Sequence, residues 1–318
     1  MPYFFVCDGG GSKTESLLFD EDANILAVAN GDGANALFID PEQAFCRVYT
    51  QIKTTLQEAG LTLEQLHTVA LFIPGFHPCQ ERMRQALPAQ VRLRVEGDDR
   101  NAFYGALGTH KGIAVLSGTG SFAVGMDAFG NLVSAGGWGP VMGDEGSGYD
   151  IGRMCLQKLG HLADERKFGG YLERLVLQAW NQPDILSLRC YVSQLDRSDV
   201  ARLCPLVMEA ARNQDPDACK ILDEAADALA KLVKRVTDKL GESPQCVVLI
   251  GGVAKAGQVF TERFARSVHA MYPQAVCREP EYSPVQGAAL CILQEEAGVD
   301  IQNPTVADHI LKGAKKAV

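Results

Sequence analysis

Three glycine-rich loops constrain the fold most: Asp8-Gly9-Gly10-Gly11-Ser12-Lys13-Thr14, Leu116-Ser117-Gly118-Thr119-Gly120-Ser121 and Leu249-Ile250-Gly251-Gly252-Val253. Each directly follows an apolar run of β character. Glycine after a strand lets backbone N–H groups turn inward and approach an anion more closely than a side chain would permit. Three such loops along one chain suggest one nucleotide held on several sides. The first is not a Walker A motif, because Ser12 stands where the glycine before the lysine belongs and the next segment reads as a strand. What remains is a hairpin tip that offers N–H groups, Ser12, Lys13 and Thr14 to phosphates, with Asp8 at the strand end able to bind Mg²⁺ through water. An ordinary tight hairpin is the competing reading, and the recurrence at Ser117, Gly118, Thr119 and Gly120 weakens it.

Around these loops the hydrophobic pattern gives strands at 3–7, 16–19 and 25–29, a β-meander. A helix starts at Asp40 as N-cap, with Pro41 at the first position and Gln43 placed to close a capping box, and stops at Gly60. Strands at 68–73 and 91–95 alternate with helices near 81–87 and 100–107. At Lys111-Gly112 the pattern restarts with strands at 113–116, 122–126 and 132–135. The chain is then mostly helical to Lys239, including an amphipathic stretch over 217–240. A strand at 246–250, a helix at 258–270, a strand at 275–278 and a helix at 284–297 follow, and a last helix near 305–315 is placed to pack back on the first domain. Strands followed by helices imply mixed sheets with helices packed on them.

The chain has 318 residues, of which 47% are hydrophobic and 22% charged, enough for two medium cores. A net charge of −9 argues against nucleic acid as a partner. The basic cluster from Lys312 to Lys316 reads as the solvated end of the last helix. Ten scattered cysteines include no C-x-x-C pair, which disfavours zinc or iron–sulfur ligation and reads as a reduced, cytoplasmic protein. The first eight residues lack a basic n-region, and no run approaches a membrane span. The six histidines show no metal spacing.

Residues 136–153 contain seven glycines and lead into a helix. Such a segment is costly to order. It reads either as an elaborate helix N-cap, with Asp144 and Glu145 meeting the helix dipole, or as a polar floor on which Asp144 accepts hydrogen bonds from sugar hydroxyls. Gly-Gly-Trp-Gly at 136–139 together with Gly-Asp-Glu-Gly-Ser at 143–147, in order with the three loops, resembles the N-acetylglucosamine kinase family. That family belongs with the BadF/BadG/BcrA/BcrD-type ATPases in the actin, sugar kinase and Hsp70 superfamily. The resemblance implies an α/β fold of two ribonuclease H-like (actin-like ATPase) domains flanking a deep cleft, with ATP and Mg²⁺ between them and closure on substrate. It places the N-terminal domain at 1–111 and the C-terminal domain at 112–299, with a helical insertion near 155–240.

Carried over by position, the resemblance assigns Gly9, Gly10, Gly11, Ser12, Lys13 and Thr14 to the β- and γ-phosphates. Ser117, Gly118, Thr119 and Gly120 take the second phosphate face, and Gly251, Gly252 and Val253 lie along the adenosine. Asp99 corresponds to the catalytic aspartate; Asp98 stands where the family more often has Asn or Thr, so the carboxylate that faces the acceptor is left open between the two. Asn35, Gly75, Gly139 and Asp144 fall on the sugar side. Trp138 is there either to stack on a sugar face or to wedge the glycine segment against the core. Asp99 would orient a sugar hydroxyl and accept its proton as it attacks the γ-phosphorus.

The implied activity is ATP-dependent phosphorylation of an amino-sugar, with N-acetylglucosamine first and glucosamine or N-acetylmuramic acid as alternatives. Pro74 departs from the small-residue pattern of the family loop near the sugar amide. An activator ATPase carrying a [4Fe–4S] cluster is disfavoured because residues 97–102 contain no cysteine. A ROK sugar kinase is disfavoured by the missing Cys-rich zinc motif, and a non-catalytic sensor by the retention of Asp8, Asp99 and Asp144. The resemblance leaves homodimerisation open.

Overall fold

A computed structural model describes residues 1–11, 13–37, 39–108 and 111–315; Ser12 and Lys316 lie outside them. The chain forms two compact units, Met1–His110 with Pro280–Val318, and Lys111–Glu279.

Unit 1 opens with the meander β1 (Tyr3–Gly9), β2 (Lys13–Asp20) and β3 (Ile25–Asp32), followed by α1 (Pro41–Ala59), β4 (Leu66–Phe72), α2 (Gln80–Ala86), β5 (Arg92–Glu96) and α3 (Asp99–Leu107). The sheet runs β3-β2-β1-β4-β5, with β1 antiparallel to β2 and parallel to β4. Phe5, Cys7, Leu18, Val69 and Leu71 meet Val48 and Ile52 of α1 in one buried core. The central strands are buried on both faces, and every second residue, such as Phe5 and Cys7, supplies this one, as period 2 requires. Asp40 caps α1: its Oδ1 accepts the N–H groups of Glu42 and Gln43 at 2.9 and 3.3 Å. The return bond expected from the Gln43 side chain is not made, because that side chain is exposed to solvent instead.

Unit 2 repeats the plan with β6 (Ile113–Ser117), β7 (Ser121–Met126) and β8 (Leu132–Gly136). Six helices follow: α4 (Gly148–Asp164), α5 (Tyr171–Ala179), α6 (Ile185–Val192), α7 (Arg197–Ala201), α8 (Cys204–Arg212) and α9 (Pro216–Leu240). Next come β9 (Cys246–Ile250), α10 (Gly252–Lys255), α11 (Gln258–Met271) and β10 (Val276–Arg278). The sheet order β10-β9-β6-β7-β8 reproduces the unit 1 topology strand for strand. Two sheets of identical winding are the ribonuclease H-like duplication expected from the sequence.

The return to unit 1 comes earlier than residue 299. It begins at Pro280, because α12 (Pro284–Glu296) buries nearly its whole apolar length in unit 1. The contact with α3 depends on glycine: a Cβ at Gly287 would overlap the Asn101 carbonyl and the Gly105 nitrogen, and one at Gly105 would lie 2.9 Å from the Ser283 carbonyl. The last helix, α13 (Pro304–Lys315), also belongs to unit 1, where the Ile310 carbonyl accepts from Gln286 Nε2 at 3.0 Å and His309 Nδ1 meets the Asp22 carbonyl at 2.8 Å.

Candidate active site

The β1–β2 hairpin forms the first candidate phosphate loop. Gly10 N–H donates to the Lys13 carbonyl at 3.1 Å and closes the turn. The Gly10 carbonyl in turn accepts the N–H groups of Ala34 and Asn35 at 3.1 and 3.3 Å. The hairpin and the Asn35 segment are therefore one rigid piece. Thr14 does not face outward: it is 1% exposed, its hydroxyl accepts from Gln51 Nε2 at 2.6 Å and donates to the Asp32 carbonyl at 3.1 Å. Its methyl covers Gly9, where a Cβ would come within 2.5 Å of it. Thr14 holds β2 to β3 and α1, while Lys13 extends into solvent with Glu15 at 3.3 Å.

Asn35 and Gly75 come together in the same unit. Asn35 Oδ1 accepts the Leu37 N–H at 2.9 Å, forming an Asx-turn. Gly75 has φ 78° and lies against that same oxygen, leaving no room for a Cβ. The Asn35 Nδ2 group has no hydrogen-bond partner among the described residues and keeps two donors available.

At the end of β1, Asp8 Oδ1 accepts from Asn101 Nδ2 at 2.6 Å. Burial pushes the Asp8 carboxyl up to about 7 against the pull of this hydrogen bond, and the charges of Asp98 and Glu15 push the same way. Asn101 is fully buried, and its Oδ1 has no partner among the described residues. Asp98 is the N-cap of α3 and Asp99 its first residue. Burial, and then the charge of Asp99, raises the Asp98 carboxyl. Asp99 Oδ1 accepts the Arg100 N–H at 3.0 Å, leaving its second oxygen without a protein partner among the described residues. Arg100 pairs with Glu295 at 2.5 Å and Glu96 at 3.3 Å, which fixes the first turn of α3.

In unit 2 the β6–β7 hairpin closes by Gly118 N–H to the Gly120 carbonyl at 2.9 Å, and the Gly118 carbonyl accepts the Gly148 N–H at 2.7 Å. The N–H groups of Thr119 and Gly120 make no protein hydrogen bond among the described residues. Ser117, assigned to phosphate by position, is fully buried and its hydroxyl donates to the Gly146 carbonyl at 2.8 Å, so it supports the loop from behind. Ser121 does the same toward the Glu145 carbonyl at 2.8 Å.

Asp144 adopts φ 65° and is 3% exposed. Its Oδ1 accepts the Ser121 N–H at 3.2 Å, and its Oδ2 pairs with Arg197. The carboxylate is thus folded under the hairpin. Trp138 is 70% exposed, so the wedge reading fails: the indole stands out from the core. Gly139 (φ 82°) shapes the following turn, its carbonyl accepting the Gly143 N–H at 2.8 Å.

The third loop divides into three roles. Gly251, at φ 101°, lies against the Ser117 carbonyl with no room for a Cβ. Gly252 lines a cavity of about 310 Å³ with Pro205, Met208, Arg212, Lys255 and Ala256. Val253 is 3% exposed and packs into the unit 2 core, so only its backbone is open to a ligand.

Three functional candidates escaped the sequence reading. Asn101 carried a readable signal, a poor helix former opening the apolar run 102–107. Arg197 and the cavity wall from α8 carried none, because their positions depend on packing among the inserted helices. Among the described residues, no three His, Cys, Asp or Glu side chains cluster as a metal site, and no helix is long and apolar enough to cross a membrane.

Comparison with known proteins identifies the family of the chain. The chain is 28% identical over 292 residues to the N-acetylmuramic acid/N-acetylglucosamine kinase of Clostridium acetobutylicum, covering 86% of this chain and 92% of the relative. It is 25% identical over 313 residues to the N-acetyl-D-glucosamine kinase of Dictyostelium discoideum, covering 92% and 98%. A Chromobacterium violaceum structure provisionally assigned as an N-acetylglucosamine kinase superposes with TM-score 0.75 at 29% identity over 92% of this chain and 99% of its own. A ROK family glucokinase from Streptomyces griseus, solved with glucose and AMPPNP, shares the fold at TM-score 0.55 and 15% identity, covering 98% of this chain and 100% of that one. The family model for BadF/BadG/BcrA/BcrD ATPases matches residues 7–291, and the chain belongs to that family.

Proposed function

We propose that the protein is an ATP-dependent amino-sugar kinase that transfers the γ-phosphoryl group to a hydroxyl of N-acetylglucosamine, giving the 6-phosphate. The observation that carries this reading is the Gly10 carbonyl, which joins the first phosphate hairpin to Asn35 through two backbone hydrogen bonds. One rigid piece then presents donors to a phosphate and, through Asn35 Nδ2, to a sugar hydroxyl, and such alignment is where most of the rate of phosphoryl transfer arises. Gly75 completes this corner, and the exposed Trp138 ring and the Gly139 turn offer an apolar face to a pyranose. Asp144 keeps free lone pairs on both oxygens and can accept a sugar hydroxyl at its edge while Arg197 stays in place.

In the reaction the uncoordinated oxygen of Asp99 takes the proton of the acceptor hydroxyl. The O–P bond forms as the bond from the γ-phosphorus to the ADP oxygen breaks, and the proton stays on Asp99 until product leaves. The Gly10 and Gly118 N–H groups close their own hairpins, so the donors left for the phosphates among the described residues are the Gly11 N–H and the Lys13 ammonium of unit 1 and the Thr119 and Gly120 N–H groups of unit 2. Gly251 and Gly252 leave the backbone open along the adenosine, with the Pro205–Met208 wall against the base. The surroundings of Asp8 fit a hydrated Mg²⁺: a carboxyl pushed up by burial and neighbouring charge gains from a cation, and the orphaned Asn101 Oδ1 can accept from its water. Such an ion neutralises charge on the transferring phosphate.

The test is Mg·ATP turnover followed as ADP release, with N-acetylglucosamine, glucosamine, N-acetylmuramic acid and glucose as acceptors. Release that depends on a sugar, is strongest for N-acetylglucosamine and is lost in Asp99→Asn supports the reading. Release independent of every sugar sinks it in favour of a plain ATPase.

A further inference from the structure

We infer that Arg197 is a positioning residue for the unit 2 phosphate hairpin, acting through Asp144 and the Thr119 carbonyl; the inference rests on the kinase reading above. Arg197 Nη2 donates to the Thr119 carbonyl at 2.9 Å and also pairs with Asp144 Oδ2. A single guanidinium nitrogen therefore ties the hairpin tip to a carboxylate that is 3% exposed. The other oxygen of that carboxylate receives the Ser121 N–H at 3.2 Å, so the brace grips the tip at both ends.

The backbone is built to admit this brace. A Cβ at Gly120 would stand 2.6 Å from Arg197 Nη2 and 3.0 Å from Asp144 Oδ1, so glycine is what lets the ion pair lie against the hairpin. Arg197 is delivered by α7, and α7 approaches α4 at Gly152, where a Cβ would overlap the Val200 carbonyl. The guanidinium carbon lies 5.9 Å from the Tyr149 ring centroid, and Arg197 Nε is buried with no hydrogen-bond partner among the described residues.

Two physical needs meet at this side chain. A buried carboxylate needs a counter-charge. Hairpin amides stabilise a phosphate best when the peptide planes that carry them are already fixed. Turning the Thr119 carbonyl toward Arg197 fixes the Thr119–Gly120 peptide plane, and with it the direction of the Gly120 N–H.

The full-length chain is assayed as wild type, Arg197→Ala, Arg197→Lys, Arg197→Gln and Asp144→Asn/Arg197→Ala. Steady-state kinetics, calorimetric titration with ADP and thermal unfolding are measured for each. KM for ATP and Kd for ADP are expected to rise roughly tenfold in Arg197→Ala, while kcat at saturating ATP stays within about threefold. Arg197→Lys recovers most of the loss, because both bonds come from one nitrogen that an ammonium can replace. The double variant binds ADP no worse than Arg197→Ala, since the two residues act as one unit. Unchanged ADP affinity with a lowered Tm overturns the inference and leaves a purely structural ion pair. A kcat loss of about a hundredfold with KM unchanged overturns it too, by putting the guanidinium on the reacting phosphate. If the alanine protein does not fold, Arg197→Gln decides. A wild type without sugar-dependent turnover defeats the kinase reading, while the ADP titration still judges the brace.

Discussion

The two units wind their sheets identically, yet they secure their glycine hairpins by different means. In unit 1 the crossover from β3 to β4 is carried by the single long helix α1, whose Gln51 reaches the strand behind the tip through Thr14 and Ser16, both at 2.6 Å. In unit 2 the equivalent crossover from β8 to β9 carries six helices, one of which sends Arg197 to the tip itself. The acids are distributed to match. Among the described residues, unit 1 leaves Asp8, Asp98 and Asp99 without a cationic partner at hydrogen-bond distance, whereas unit 2 neutralises Asp144 internally. A duplicated fold can thus divide the labour of phosphoryl transfer between its halves. On the proposed reading, one half keeps unpaired carboxylates for a cation and a proton, and the other serves as a charge-balanced clamp for an anion. Each difference predicts what a substitution should do.

The largest effect belongs to the acid that unit 2 lacks. Asp99→Asn should lower kcat by about 10²–10⁴-fold while leaving the thermal unfolding midpoint and ADP affinity near wild type. Asp98→Asn should lower it far less, since that side chain sits at the N-cap position of α3 without a capping hydrogen bond, close enough to Asp8 for its charge to raise the Asp8 carboxyl. Equal losses in both variants, or a larger loss at Asp98, would reassign the base and keep the unit 1 side of the comparison open.

Gly251 tests the clamp from behind. Alanine there faces both a backbone at φ 101° and overlap with the Ser117 carbonyl. The expected loss in chemical denaturation is about 3 kcal/mol. Gly10, the tip glycine of unit 1, is its control, because a Cβ there meets nothing within 4 Å.

How far these assignments could be read from sequence depends on the range of the interaction that fixes them. The hairpins, the meander and its recurrence follow from local chemistry, glycine turns after alternating strands, and so they were legible. Thr14 and Ser117 were misread because loop position does not reveal which face a hydroxyl takes; Gln51 and the Gly146 carbonyl decide that, 37 and 29 residues away. The α12 boundary is not legible because its partner, Gly105, is far more remote in the chain than either. Arg197 was invisible for the same reason, 53 residues beyond Asp144.

Asp8 sharpens the electrostatic side of the comparison. Its folded-state carboxyl sits near 7, above its ordinary value of 3.8. Between those values the folded protein retains a proton that the unfolded chain has lost, so ligand-free stability is fullest at acid pH and declines as pH rises to about 7. The decline should be on the order of 2–4 kcal/mol and should be missing in Asp8→Asn. Urea midpoints of the two proteins measured from pH 5 to 8 check it, and parallel curves would refute the assignment. Added Mg²⁺ should restore the wild type at pH 8 and lose its effect toward pH 5, where Asp8 is protonated.

The smallest effect separates the two hairpins most directly. Gly120→Ala places a methyl against Arg197 Nη2 and the Asp144 carboxylate, while leaving φ in an ordinary region. The guanidinium is the far end of a flexible side chain and the carboxylate is held by Ser121, so the strain is relieved by Arg197 swinging away. Stability should fall by only about 1 kcal/mol, but KM for ATP should rise as it does when Arg197 is removed. Gly10→Ala has no such neighbour to displace, and should leave both quantities within about 0.5 kcal/mol of wild type. Equal responses at the two glycines would mean that backbone flexibility, common to both tips, governs phosphate binding. A response confined to Gly120 would mean that what matters is the side chain braced against it.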